Sequence, residues 1–172
     1  GPTFLKETRG LDILNSSRVM SAYEIAGVAG MLLSGWATDK LFKGRGGRTC
    51  FISMCLCSIC VLLFWKLNSP SLLVNAVLLC GVGLFVYGPQ ALIGVMAANL
   101  ATRRAAATAI GLTGAFGYAS SVLTGWGIGK MADTSGWTPV FALFVTAAVV
   151  SAVLFAVAWN AYRPIDKSPS GS

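Results

Sequence analysis

Long apolar runs, each parted from the next by a short charged or turn-forming stretch, constrain this chain more than any other feature. A helix that crosses a bilayer needs about 20 predominantly apolar residues, because the hydrocarbon core is roughly 30 Å thick and the helix rises about 1.5 Å per residue. Five segments are read as spans: 19–38, 50–67, 72–100, 105–129 and 139–162. The chain is 55% hydrophobic and only 11% charged, with a mean hydropathy of +0.72, and a water-soluble domain has nowhere to place that apolar surface. The expected fold class is therefore all-α, a polytopic membrane protein. Residues 18–163 hold the five spans, 1–17 form an external approach, and 164–172 read as a disordered tail.

The stretches between the runs read as turns. Lys40 to Arg48 is too basic and too glycine-rich to enter the bilayer. Lys66-Leu67-Asn68-Ser69-Pro70 closes the second span, Arg103-Arg104 the third, and Lys130 to Trp137 the fourth. Gly88-Pro89 lies inside the third span, where proline removes a backbone donor, and a kink is expected there. The fourth span is dense in small residues: Gly111, Gly114 and Gly117, then Ser121, Gly125 and Gly129. Such rows let helix backbones approach closely in membranes, so this helix is expected in the interior of a bundle, with Trp126 and Trp137 at the interface.

Eight of the thirteen basic residues fall on alternate connections, at 40–48, 103–104 and 163–167. The positive-inside tendency puts these on the cytoplasmic side, with the N-terminus outside and the C-terminus in the cytoplasm of a bacterial-type inner (cell) membrane. The net charge of +7 does not point to nucleic acid, since the cations sit in the gaps between apolar runs and form no aromatic-laced basic face. No signal peptide is visible at the start. Gly1-Pro2 without an initiator methionine reads as a trimmed or fragmentary chain.

Enzyme chemistry finds little to use. There is no histidine, and of six acids all but Glu24 lie in loops or at segment ends, so no buried acid–base pair is expected. Cys50, Cys55, Cys57, Cys60 and Cys80 read as small packing residues. Cys57 and Cys60 form a CxxC pair that lacks both histidine and turn chemistry, and neither metal nor cofactor is implied.

Glu24 is the exception. A carboxylate inside a span costs about 2.5–3.5 kcal/mol on insertion scales, so it is expected to face protein or water and to have a partner. The other spans offer no cation at that depth, which sends an ionised Glu24 to a partner outside this chain; a structural ion pair is the alternative. Tyr23, Tyr87, Tyr118 and Gln90 are the remaining polar groups at membrane depth. They read either as packing residues or as the lining of a route for a polar, anionic solute.

Several of these stretches resemble a known family. Gly35-Trp36-Ala37-Thr38-Asp39-Lys40, with Gly44, Arg45 and Arg48, resembles the loop signature of the major facilitator superfamily between helices 8 and 9. Tyr87 to Gly94 and Gly114 to Tyr118 resemble the organophosphate:inorganic phosphate antiporters, and Pro2 to Glu7 is similar to that family's exit from helix 7. The resemblance implies a partial C-terminal six-helix bundle, helices 8 to 12 plus the end of helix 7 within residues 1–17. It implies alternating-access exchange of a sugar phosphate, a hexose 6-phosphate by the branch it most resembles, for inorganic phosphate.

The same resemblance places the phosphate-gripping arginines outside this chain, one on helix 7 and one in the missing N-terminal half. Glu24 matches an acid thought to exchange ion-pair partners, Tyr23 accompanies it, and Tyr87 and Tyr118 match pore-facing tyrosines. Asp39 and Lys40 are expected to gate, pairing across to a neighbouring helix in one conformation and releasing in the other. Two alternatives stay open: a sensor of the same fold that signals to a membrane kinase, and a glycerol-3-phosphate:phosphate antiporter. The uncharged stretch Ala119 to Trp126 is as in the sensor-like relatives.

Overall fold

A computed structural model describes residues 12–67, 71–100, 105–157 and 159. The approach at 1–11, the expected turns at 68–70 and 101–104, the end of the fifth expected span at 158 and 160–162, and the expected tail at 164–172 lie outside the described residues. Among the described residues five helices follow one another: α1 (Ile13–Lys40), α2 (Gly46–Leu67), α3 (Leu72–Leu100), α4 (Ala106–Ser135) and α5 (Trp137–Val157).

α1 begins before the apolar run that announced it. Asp12 has an extended backbone, and its carboxylate accepts the Ile13 N–H at 2.8 Å, which starts the helix ahead of Val19. Residues 13–17, read as part of the external approach, are therefore helical. At the other end the N–H groups of Leu41 and Phe42 both donate to the Ala37 carbonyl. Lys43 (φ 50) and Gly44 (φ 80) then reverse the chain, and the Gly44 N–H closes on the Thr38 carbonyl at 2.8 Å. α2 starts directly at Gly46, so Arg48 sits in its first turn rather than in a loop.

One further boundary differs from the sequence reading. Lys130 to Ser135, read as loop, continues α4, because Lys130-Met131-Ala132-Asp133 holds no helix breaker; Gly136 at φ 76 ends the helix. The third helix runs on through Pro89, which is buried.

α2, α3, α4 and α5 are each long and apolar enough to cross a membrane. α1 has the length, at 28 residues or about 42 Å, but its serines, glycines and Glu24 keep its composition below that of its neighbours. Its packing explains this. α1 lies mainly along α3, and the residues it buries are Ser16, Val19, Gly27, Gly30, Ser34 and Thr38. A Cβ on Gly30 would collide with the Leu84 carbonyl, and one on Gly83 would stand 2.6 Å from the Tyr23 carbonyl oxygen. The two backbones thus approach as closely as glycine permits, which is how helices associate where lipid offers no hydrophobic drive.

Large apolar side chains point the other way. Ile25, Leu32, Leu73, Val122, Leu123, Leu154 and Val157 are all more than 60% exposed, whereas the interior holds Ser53, Ser58, Asn75 and Cys57. This inside-out distribution suits a bilayer. A compact apolar centre remains where Val19 and Phe64 meet Leu79, Trp137 and Phe141, with the Phe64 and Phe141 rings 5.8 Å apart.

α4 overturns one expectation. No residue of it is buried, and a Cβ at Gly111, Gly114, Gly117, Gly125 or Gly129 would meet nothing within 4 Å. The helix touches α3 and α5 alone among the described elements, so its small-residue row is unpartnered in this chain rather than enclosed in a bundle.

Candidate functional site

The α1–α3 seam brings Glu24 and Tyr87 together from positions 63 residues apart: the Tyr87 hydroxyl donates to Glu24 Oε2 at 2.6 Å. The short separation fits a charge-assisted bond to a carboxylate. Glu24 thus has a partner within the chain. It is a hydroxyl and not the cation expected from elsewhere, and Glu24 forms no ion pair among the described residues.

Two neighbours hold the tyrosine in place. The Tyr23 ring meets it edge-on, with centroids 5.8 Å apart and planes at 67°. Gly27, one turn beyond Tyr23, lies beneath the ring, and a Cβ there would stand 2.6 Å from Tyr87 Cδ2. Sequence reasoning missed Gly27; the only signal was a small residue three positions from a buried-depth acid. Gly88 is pressed against Ser34 in the same seam, so the backbone around Tyr87 has little freedom.

Gln90 is exposed three residues beyond Tyr87, the spacing that puts two side chains on one helix face. Tyr118 is not part of this group. It lies on the open helix α4 and is 79% exposed. Of the site residues only Tyr23 also lines the cavity of about 680 Å³ between α4 and the rest of the helices, whose walls include Cys57, Phe64, Trp137 and Phe141 with Asp133.

The loop residues form a second group. Asp39 and Lys40 end α1 and are exposed, and Asp39 makes no ion pair among the described residues. Gly35 has open space where a Cβ would be. Arg45 follows the Lys43–Gly44 reversal. The Arg48 guanidinium stands 5.2 Å from the Trp159 ring centre, with its Nε buried and without a hydrogen-bond partner among the described residues. Just inside this turn, the Thr38 hydroxyl donates to the Ser34 carbonyl at 2.7 Å or shares a 2.8 Å bond with Thr49 Oγ1, a buried link between α1 and α2.

The sequence profile of the Major Facilitator Superfamily matches residues 1–125. This chain belongs to that superfamily. As a major facilitator fragment it is 35% identical over 164 residues to the membrane sensor protein UhpC of Salmonella typhimurium, covering 95% of this chain and 37% of that protein. It is 36% identical over 166 residues to a probable hexose phosphate transport protein of Chlamydia pneumoniae, covering 96% and 36%. Against the glycerol-3-phosphate transporter of Bacillus subtilis it is 35% identical over 160 residues, covering 92% and 36%. The chain thus spans a little over a third of the length of these relatives. Membership of this superfamily, together with four helices apolar enough to span, makes it an integral membrane protein.

Proposed function

We propose that the full-length protein exchanges a sugar phosphate, a hexose 6-phosphate by preference, for inorganic phosphate by alternating access across a bacterial-type cell membrane. The observation that carries this reading is the Tyr87–Glu24 pair, a polar contact built at membrane depth on a seam of glycines. A buried-depth carboxylate is costly and is kept where it faces water or solute. The likeness to hexose phosphate and glycerol-3-phosphate transporters supplies the solute class.

In this reading α1 to α5 are helices 8 to 12, with the N-terminus outside and the C-terminus cytoplasmic. Tyr23, Glu24, Tyr87 and Gln90 line the solute route, and Tyr118 joins them only when the rest of the protein closes on α4. The phosphate itself is gripped by arginines beyond this chain. Asp39, Lys40, Arg45 and Arg48, around the Gly35 and Gly44 turn, gate the cytoplasmic end; the chain is not an enzyme and needs no cofactor. Labelled glucose 6-phosphate taken up by phosphate-loaded vesicles containing the full-length protein is the expected result, and vesicles that stay empty while binding nothing overturn it.

One observation favours a second reading. The similarity to the UhpC sensor is as high as that to the carriers, and Ala119 to Trp126 on α4 is uncharged. A sensor of the same fold would bind external sugar phosphate, pass it to no compartment, and signal to a membrane kinase. Saturable binding without flux selects it, and stronger uptake of glycerol 3-phosphate than of glucose 6-phosphate selects the glycerol branch.

A further inference from the structure

We infer that Glu24, held by Tyr87, reads the hydroxyl-bearing carbon skeleton of an organic phosphate and so separates it from inorganic phosphate. The inference rests on the antiport reading above and names the part of the substrate that this seam recognises.

The hydrogen-bond inventory carries it. An ionised carboxylate only accepts hydrogen bonds. Glu24 Oε2 takes the Tyr87 hydroxyl at 2.6 Å, and Oε1 has no partner among the described residues. Glu24 is exposed on this seam, so the open oxygen is available to a donor arriving from outside the chain. A phosphate dianion brings acceptors and negative charge, which a carboxylate repels. The hydroxyls of a sugar or polyol bring donors. The same substrate therefore meets Glu24 favourably at one end only.

Placement makes the oxygen selective. The Tyr87 ring lies over Gly27 and meets the edge of the Tyr23 ring, and its hydroxyl on Oε2 sets the carboxylate at a defined point on the seam. Gln90, on the same face of α3, adds an amide that donates and accepts, suited to a neighbouring hydroxyl. Tyr87 and Gly27 are positioning residues for this contact.

The test uses the full-length protein in vesicles exchanging labelled phosphate, with glucose 6-phosphate, its 2-, 3- and 4-deoxy analogues and unlabelled phosphate as competitors. In the natural protein at least one deoxy analogue is expected to compete about tenfold less well than glucose 6-phosphate. Glu24→Ala removes that penalty and lowers the affinity ratio of glucose 6-phosphate to phosphate by the same factor; Glu24→Gln retains part of it. Tyr87→Phe keeps the carboxylate but frees it, and shifts the ratio in the same direction by less, so the inference stays testable if Glu24→Ala does not fold. Deoxy penalties that are identical with and without the carboxylate overturn it. So does an equal weakening of sugar phosphate and phosphate, which assigns Glu24 to an ion pair with a cation elsewhere in the protein. A natural protein that exchanges neither solute overturns the antiport reading itself.

Discussion

A methyl group added at Gly27 would stand 2.6 Å from the Tyr87 ring, so at the scale of single residues Gly27→Ala and Tyr87→Phe separate packing from hydrogen bonding. The first forces the ring aside, and overpacking of this kind costs about 1–3 kcal/mol. The second keeps the shape and removes one hydrogen bond to a carboxylate, a loss of about 1.5–3 kcal/mol. Unfolding of the full-length protein in detergent is expected to show both losses, with both variants weakening sugar-phosphate exchange. An unchanged stability of Gly27→Ala would mean that the ring moves freely, contrary to its position between Gly27 and Tyr23. The pairing of Glu24 with Tyr87 was not legible in the sequence, because 63 residues separate them and only the seam sets which turn of α3 faces which turn of α1.

Helices α1 and α2 are tied by one buried hydroxyl pair, Thr38 and Thr49, beside the turn that carries the loop signature. Thr49→Val leaves Thr38 its own bond to the Ser34 carbonyl, whereas Thr38→Val leaves the Thr49 hydroxyl buried without that partner. Thr38→Val is therefore expected to cost more, about 1–3 kcal/mol, and the double variant less than the sum, since neighbours that share a bond are not additive. A thermal double-mutant cycle on the full-length protein reads both. If Asp39 gates, Asp39→Asn slows exchange without loss of phosphate affinity; an unchanged rate leaves it as an anchor of the basic turn. The helices themselves were legible as apolar runs, but the start of α1 and the end of α4 were not. Asp12 and Gly136 decide them by capping and by backbone conformation, and neither belongs to an apolar run.

For the molecule as a whole, the decisive fact is how much of its interior faces outward. α4 buries nothing, its glycine row is open, and the chain covers little over a third of its relatives. Alternating access needs two bundles around a central site. This chain alone, placed in phosphate-loaded vesicles, is therefore expected to take up no glucose 6-phosphate, while the full-length protein does. Uptake by the chain alone would overturn the route drawn between this bundle and the missing half. The small-residue pattern of α4 suggested a packing face, yet no described segment packs on it, since the pattern records a capacity for close approach and not the presence or identity of a neighbour.

Taken by itself, the sequence determined that this chain is a set of membrane helices and which family they belong to, because the length of an apolar run is a local property set by bilayer thickness, and the loop signature is contiguous. It also singled out Glu24, whose cost in lipid is local too. Tertiary structure alone decided that Tyr87 is its partner, that Gly27 makes room for that partner, and that Tyr118 stands apart. Those outcomes depend on the register and close approach of two helices, which arise from every contact along the seam and leave no mark at any single position.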